Sequence, residues 1–382
     1  MEPRKFVIPE FVLGEGAIGI VPQYAQNLGV KKALLVTDSG VISYGWAGKI
    51  QTALEREGIR YEIFSDVSPN PRDYEVMSGA ELYLKEQCNM IIAVGGGSPM
   101  DCAKGIGIVT SNDEHILRFA GVDKISLPSP PLICVPTTAG SSADVSQFAV
   151  ITDSESLLKI AIISKAIVPD VALIDPLTST TMPKELTVNT GMDAFTHSIE
   201  AIVSNANSPV TDLHAFEALR IVRKSLSKAV EYPGEINYRN SMMLGSLLAG
   251  LAFSNASLGI VHAMTHSLGG KYDLAHGECN AVMLEHVINY NFDSAAEQYC
   301  CIAEALGIDC RGLTYNQKKQ RLIESIISFK REVGVTKSLS DMGVQKTDIP
   351  ILAKHAFYDP CTATNPKEPS IRDIEEIYEN AL

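Results

Sequence analysis

The sequence predicts two domains, an α/β domain with a parallel, Rossmann-like sheet followed by an all-helical domain. The chain has 382 residues, more than one ordinary hydrophobic core accommodates. Its first half alternates short apolar runs with helical stretches, whereas its second half shows helical periods and few strand-like runs. Because the pattern changes after Pro176, we place the boundary at Met182. Residues 1–182 then form the α/β domain, and residues 183–382 form the helical domain.

Four almost wholly apolar runs predict the main strands of the first domain. Such runs are typical of parallel strands that are covered by helices on both faces of the sheet. The four strands are predicted at residues 32–36, 61–64, 90–94 and 131–136, preceded by short strands at 6–9 and 11–14. Helices are predicted at residues 46–57 and 73–86 and from Met100 onward.

The second domain is predicted to contain helices alone. Apolar residues recur there at helical spacing, and no internal repeat or flexible linker interrupts them. The predicted helices cover residues 185–203, 211–230, 237–255, 258–269, 281–290, 294–306, 315–333, 348–356 and 371–381.

Composition narrows the class of protein. The chain is 46% hydrophobic and 20% charged, which is typical of a globular protein, and its formal net charge is −13. A strongly acidic chain is a poor partner for nucleic acid or an anionic membrane. The sequence shows neither a signal peptide nor an apolar run long enough to cross a bilayer. The eight cysteines form no Cys-x-x-Cys pair, so we expect reduced thiols and a cytoplasmic protein.

A cluster of histidines in the second domain predicts a metal site. Asp193 and His197 are four residues apart, so on a helix both side chains project from one face. His262 and His266 repeat this spacing in an apolar segment, and His276 follows. One such pair is ordinarily a salt link or a satisfied core histidine. Two pairs on apolar helices favour a shared metal, because each buried imidazole without a partner costs about 1–3 kcal/mol. Imidazole with carboxylate suits iron, zinc, nickel or manganese.

A glycine-rich turn in the first domain predicts an anion site. Gly95, Gly96 and Gly97 follow the strand at 90–94 and precede a helix. The backbone N–H groups at such a helix start bind phosphate, and glycine allows that backbone to approach it closely. Because Met100 stands where the dinucleotide fingerprint has its last glycine, a plain tight turn stays an alternative.

Polar residues after two other strands strengthen the prediction of a dinucleotide site. Asp38 follows the first long strand, where an acidic side chain binds ribose hydroxyls and repels a 2′-phosphate. Its alternative is a helix-capping or turn aspartate. Thr137 and Thr138 follow the fourth strand. Since the carboxyl ends of parallel strands share one edge of the sheet, these groups together favour NAD over NADP.

Four motifs in order carry a resemblance to a known family. They are Gly-Gly-Gly-Ser-Pro-Met-Asp at 95–101, Pro-Thr-Thr-Ala-Gly at 136–140, Gly-Met-Asp-Ala-Phe-Thr-His at 191–197, and His262, His266 and His276 with the following glycine. In these the chain resembles the iron-containing (group III) alcohol dehydrogenases along essentially its whole length. The resemblance implies an NAD-binding domain, a helical metal domain, and a dimer or larger homo-oligomer.

The resemblance also implies roles for individual residues. It assigns the metal to Asp193, His197, His262 and His276, with Fe²⁺ favoured and Zn²⁺ possible. It places His266 beside the metal, either as a proton relay or as a supporting ring. On the cofactor side it assigns the adenosine ribose to Asp38, the diphosphate to Gly96, Gly97 and Ser98, and further contacts to Asn70, Thr137, Thr138 and Lys159.

The function expected from the resemblance is NAD(H)-dependent oxidation of small primary alcohols or diols, or reduction of the matching aldehydes. The metal would polarise the substrate oxygen, and we expect the active site between the two halves. One departure stands out: the family usually continues Thr-Gly-Ser-Glu where residues 141–144 read Ser-Ser-Ala-Asp. Two alternatives stay open, a dehydroquinate synthase-like lyase and a non-catalytic, regulatory relative that binds NAD and metal.

Overall fold

The structure, a computed structural model, describes residues 5–382. The chain divides into two compact units. The first consists of Phe6–Met182 with Gly234–Met243, and the second contains Pro183–Pro233 and Leu244–Leu382. The division of the sequence at Met182 into a cofactor domain and a metal domain stays our proposal.

The described chain contains nine strands and fourteen α-helices. The strands are β1 (Glu10–Leu13), β2 (Lys32–Val36), β3 (Arg60–Phe64), β4 (Met90–Gly95), β5 (Gly121–Val122), β6 (Leu132–Pro136), β7 (Phe148–Asp153), β8 (Leu158–Ile163) and β9 (Val171–Ile174). The helices are α1 (Val21–Asn27), α2 (Ser39–Ser43), α3 (Trp46–Arg56), α4 (Asp73–Lys85), α5 (Gly97–Asn112), α6 (Lys184–Val203), α7 (Pro209–Glu231), α8 (Ile236–Ala256), α9 (Ile260–Tyr272), α10 (His276–Asn291), α11 (Ala296–Ala305), α12 (Tyr315–Val333), α13 (Ile349–Phe357) and α14 (Ile371–Ala381).

The first unit is built on a six-stranded parallel sheet in the order β1-β9-β6-β4-β2-β3. Strand β4 shows why the sheet is covered on both faces. Ile91 and Ala93 belong to one hydrophobic cluster, whereas Met90, Ile92 and Val94 belong to the other. Side chains alternate across a strand, so a wholly apolar strand supplies both cores. The predicted fold class, including the parallel sheet, is confirmed.

The strand prediction differs from the structure in three ways. Strand β9, which lies between β1 and β6 in the sheet, was not predicted. Residues 6–9 are not a strand; β1 begins at Glu10, directly after Pro9, which has no N–H for a sheet ladder. The sequence also did not reveal a second sheet of order β5-β8-β7, in which β7 and β8 form an antiparallel hairpin.

The second unit is helical, as predicted. Helix α6 packs against α7 and α10, and α9 packs against α10 and α13. The largest boundary error concerns α10, which begins at His276 and not at residue 281. All eight cysteines are free. Within residues 5–382, no single helix is long and apolar enough to cross a membrane; α8 and α9 pass that test only as a pair, bent by 101°.

Candidate metal and cofactor sites

Three helices of the second unit bring the four predicted ligands together. Asp193 and His197 lie one turn apart on α6, His262 lies on α9, and His276 is the first residue of α10. Asp193 Oδ1 is 3.6 Å from His197 Nε2, 3.5 Å from His262 Nε2 and 3.6 Å from His276 Nε2. The carboxylate oxygen therefore faces the same ring nitrogen of all three histidines.

These separations fit a metal ion. Ligands at about 2.1 Å from a tetrahedral metal are about 3.4 Å from one another, close to the three distances from Asp193. The ligand atoms of Asp193, His262 and His276 all lie within 4.8 Å of one another, whereas His197 does not belong to that group. The side chain of His276 is 28% exposed, whereas that of His262 is 1% exposed. One side of the cluster is thus open to solvent.

The electrostatics of the cluster also favour a cation. Burial raises the pKa of Asp193, but the imidazoles of His197, His276 and His262 together outweigh burial and hold this pKa well below its ordinary value. Burial lowers the pKa of His262, yet the carboxylates of Glu200 and Asp193 raise it to about 9. The site therefore stabilises an anionic carboxylate and attracts positive charge.

Asn280 is part of this cluster, and the sequence analysis missed it. Its Nδ2 lies 2.7 Å from Asp193 Oδ1 and 3.1 Å from His262 Nε2, so the amide donates towards atoms assigned to the metal. Its Oδ1 is buried and accepts no hydrogen bond within residues 5–382. The signal was available, because Asn280 lies four residues after His276 and so shares its helix face.

Two buried carboxylates orient histidine rings through contacts with their Nδ1 atoms. Glu200 Oε2 lies 2.5 Å from His262 Nδ1, and Asp359 Oδ2 lies 2.8 Å from His266 Nδ1. The ring of His266 stacks on that of His276 at a centroid distance of 5.4 Å. His266 therefore lies beside the four ligands, where the sequence placed it, and its Nδ1 is turned towards a carboxylate.

His266, Asp359 and Cys361 form a second group of possible ligand atoms, all within 4.8 Å of one another. Two features favour an orienting role over a second metal. The histidine and the aspartate already share a hydrogen bond of 2.8 Å. Burial raises the pKa of the Cys361 thiol well above its ordinary value, and a thiol binds metal as the thiolate.

In the first unit, two polar loops lie side by side at the carboxyl ends of β4 and β6. Helix α5 begins at Gly97, three residues before the predicted start, with Gly96 as its N-cap. A Cβ at Gly96 would lie 3.1 Å from Thr138, and one at Gly97 would lie 3.1 Å from Ser141. Glycine at both positions keeps the backbone N–H groups of the helix start accessible. Ser98 lies in the first turn and Thr137 in the facing loop. The three residues predicted to bind the diphosphate therefore lie beside the threonines predicted to line the cofactor cleft.

Asp38 caps a helix, the role that the sequence analysis left open as the alternative to binding ribose. It is the N-cap of α2, and its Oδ1 accepts a hydrogen bond of 2.8 Å from the N–H of Val41. The residue follows β2, the neighbour of β4 in the sheet, so it lies at the edge that holds the glycine loop. A cap uses one carboxylate oxygen, and a contact with ribose through the other is compatible with it.

Asn70 and Lys159 form a direct pair. Lys159 Nζ donates to Asn70 Oδ1 at 2.6 Å. Asn70 has a left-handed backbone, with φ of 57°, and Arg72 Nη1 donates to its carbonyl oxygen at 2.9 Å. Lys159 lies on β8 of the hairpin that the sequence analysis missed. That hairpin therefore carries a residue predicted to contact the cofactor.

Family comparisons agree with this geometry. Residues 9–176 match the family described as iron-containing alcohol dehydrogenase. Residues 187–382 match the C-terminal part of the Fe-containing alcohol dehydrogenase family. The chain belongs to the iron-containing alcohol dehydrogenase family. The predicted family and enzyme class are thereby confirmed.

Individual members of the family are similar over their whole length. The chain is 40% identical to the 1,3-propanediol dehydrogenase of Citrobacter freundii over 371 residues, 97% of this chain and 96% of that protein. It is 37% identical to the NAD-dependent methanol dehydrogenase of Bacillus methanolicus, over 99% of each chain. A crystal structure of a 1,3-propanediol oxidoreductase superposes with a TM-score of 0.96 at 40% identity and full coverage of both chains. Alcohol dehydrogenase chemistry with NAD and iron is confirmed at the level of the family.

The departure of residues 141–144 from the usual family pattern has a local structural consequence. Ser142 stands where that pattern has glycine, and its φ of 50° lies in the left-handed region. Its Oγ lies 3.2 Å from the carbonyl oxygen of Gly140. A residue with a Cβ is strained in this conformation by about 1–2 kcal/mol, whereas glycine is not.

We expect Ser142→Gly to be more stable than Ser142→Ala by about 1 kcal/mol. Both variants lack the hydroxyl, so the comparison isolates the strain of a Cβ at positive φ. Urea unfolding of the two proteins measures the difference. The same pair of changes at Ser141, whose φ is not positive, is the control, and there alanine is expected to be the more stable. Equal stability of the two variants at residue 142 would argue against the strain.

Proposed function

We propose that this chain interconverts small primary alcohols or diols and their aldehydes, with NAD(H) as the hydride carrier and one Fe²⁺ held by Asp193, His197, His262 and His276. The observation that supports this most is that one carboxylate oxygen of Asp193 lies 3.5–3.6 Å from the Nε2 atoms of the three histidines. The ligand atoms of Asp193, His262 and His276 also lie within 4.8 Å of one another. The same donors also suit Zn²⁺; iron is preferred because of the family.

Different residues of the chain are assigned to the metal, the substrate and the cofactor. A bound metal would act as a Lewis acid on the substrate oxygen. Three largely buried ligands would hold the metal, and the substrate would enter on the side where His276 is exposed. The glycine loop at residues 96–98 would bind the diphosphate of NAD, while Asp38, Asn70, Thr137, Thr138 and Lys159 would contact the rest of the cofactor.

The relatives support the substrate class. A propanediol dehydrogenase and a methanol dehydrogenase both act, by name, on short alcohols. Family membership favours a dehydrogenase over the lyase and the regulatory alternatives. We also propose a cytoplasmic location and a homodimer or larger homo-oligomer, with no nucleic acid or membrane as partner, in keeping with the net charge of −13.

The test of this function is NADH oxidation with a panel of short aldehydes. The protein is stripped with a chelator and reloaded anaerobically with Fe²⁺ or Zn²⁺. We expect turnover that depends on the metal and is faster with NADH than with NADPH. Binding of NAD without turnover for any aldehyde and either metal would overturn the proposal and support the regulatory alternative.

Asp38 is expected to set the preference for NADH. We predict that Asp38→Asn lowers the ratio of kcat/KM for NADH to that for NADPH by at least about tenfold, since one charge repulsion of about 1.4 kcal/mol corresponds to that factor. Asparagine caps a helix as well as aspartate does, so the free energy of unfolding should stay the same. Steady-state kinetics with both cofactors measure the ratio. An unchanged ratio in a stable variant would leave Asp38 with its capping role alone.

His266 is proposed to move the alcohol proton, with Asp359 holding its Nδ1–H. General acid–base groups contribute about 10²-fold or more to the rate. We therefore predict that His266→Ala lowers kcat by about 10²-fold at unchanged metal content. Metal analysis and turnover on the same samples separate the two effects. Unchanged turnover would show that His266 does not relay the proton and only supports the metal ligands.

A further inference from the structure

A buried glutamate connects two helices of the metal centre. Glu200 lies on α6, three residues after His197, and is 4% exposed. Its Oε2 lies 2.5 Å from Nδ1 of His262 on α9, and its Oε1 accepts a hydrogen bond of 2.8 Å from the N–H of Val261. Both carboxylate oxygens are therefore used at the start of α9.

The start of α9 relies on this contact. Its N-cap is Gly259, which has no side chain to satisfy the first N–H groups of the helix. Glu200 Oε1 satisfies Val261, and Asn365 Oδ1 satisfies Ile260 at 3.3 Å. A Cβ at residue 259 would lie 2.9 Å from both of these oxygens. The helix start that carries His262 is thus fixed by side chains from elsewhere in the chain.

The same contact fixes which nitrogen of His262 carries the proton. A neutral imidazole has one N–H, and a carboxylate only accepts hydrogen bonds. In the neutral ring that binds a metal, Glu200 beside Nδ1 therefore keeps the proton on Nδ1, and Nε2 has its lone pair. Asn280 Nδ2 lies 3.1 Å from Nε2 and can donate to it. Asp193 Oδ1, 3.5 Å from Nε2, is the ligand atom that a bound metal would share with it. A lone pair on Nε2 is what a metal ligand requires.

Glu200 also balances charge. Asp193 is the one carboxylate among the four assigned ligands, and the three imidazoles are neutral when they bind a metal. Asp193 and Glu200 together carry two negative charges in a region where both are buried. A divalent cation neutralises the pair, and uncompensated charge in such a region is costly.

We propose that Glu200 is the positioning residue of the metal centre, which holds His262 with Nε2 free for the metal and supplies the second negative charge. The inference rests on the proposed function, because it presupposes the metal site. It predicts that the metal affinity, and not only the activity, depends on a residue that is not a ligand.

The test is Glu200→Gln, with Glu185→Gln as the matched control at an exposed position of the same helix. Glutamine keeps the shape but offers one acceptor oxygen for two N–H donors. We expect the dissociation constant for Co²⁺ or Zn²⁺, measured by competition with a chelator, to rise about 10- to 100-fold. We also expect the visible spectrum of the Co²⁺ protein to change. The control should match the wild type in both.

These measurements distinguish the absence of a metal site from the absence of a role for Glu200. A wild-type protein that binds no metal would remove the metal site itself. A wild-type protein that binds metal, with a Gln variant of equal affinity and identical Co²⁺ spectrum, would overturn the role of Glu200 alone.

If the Glu200→Gln variant does not fold, a direct measurement on the wild-type protein still tests the proposal. In Zn²⁺-loaded protein with ¹⁵N-labelled histidine, we expect the ligand histidines to be bound to metal through Nε2, with a downfield, exchange-protected Nδ1 proton for His262. A ring bound through Nδ1 in place of Nε2 would overturn the proposal.

Discussion

His262→Ala should abolish metal retention and activity together. His262 is the most buried of the three imidazoles and contacts both Asp193 and Glu200. Its removal takes away one ligand and leaves the Glu200 carboxylate buried without its partner. A Lewis acid contributes several kcal/mol to such reactions, and about 4 kcal/mol corresponds to about a 10³-fold loss of kcat/KM. Metal analysis after gel filtration and turnover with NADH provide the two measurements.

His214→Ala is the control for this variant. His214 lies on α7, outside the ligand set, so its replacement should leave metal content and kcat/KM near the wild-type values. If His262→Ala retained a full complement of metal, the assignment of the ligands would be wrong.

Gly277→Ala should be the most destabilising single change that adds one methyl group near the site. A Cβ at residue 277 would lie 2.0 Å from the carbonyl oxygen of Asn189 and 2.5 Å from its carbonyl carbon. These atoms belong to the backbone of α6, which cannot rotate out of the way as a side chain can. Helices α6 and α10 would have to separate, and Asp193, His197 and His276 with them. We expect the free energy of unfolding to fall by about 3 kcal/mol or more.

Urea unfolding and metal content measure this effect. Gly19→Ala is the matched control, because a Cβ there has no neighbour within 4 Å, and its effect should stay within about 0.5 kcal/mol. A Gly277→Ala protein with wild-type stability and metal content would show that the two helices tolerate a wider separation.

The residues that the sequence could predict are those whose signal is local. Asp193 and His197, and His262 and His266, are related by one helical turn, so their shared face follows from helix geometry. The parallel sheet follows from strands that are apolar on both faces. Asn280 carried the same kind of signal, four residues after His276, and was overlooked.

The residues that the sequence could not predict act across long separations. Glu200 meets His262 across 62 positions, and Asp359 meets His266 across 93. A carboxylate inside the apolar run of α6 hints that it has a buried partner but does not identify one. The β7–β8 hairpin was missed because Lys159 on β8 interrupts the apolar pattern; the structure pairs its charge with Asn70.

The most direct test of the metal centre is an anaerobic titration of the chelator-stripped protein with Fe²⁺. Bound iron and the rate of NADH oxidation with a short aldehyde are measured on the same samples. We predict that the rate rises in proportion to bound iron and levels off at one ion per chain. A full rate in the stripped protein, or a rate independent of bound iron, would contradict the assignment of Asp193, His197, His262 and His276 as the catalytic metal site.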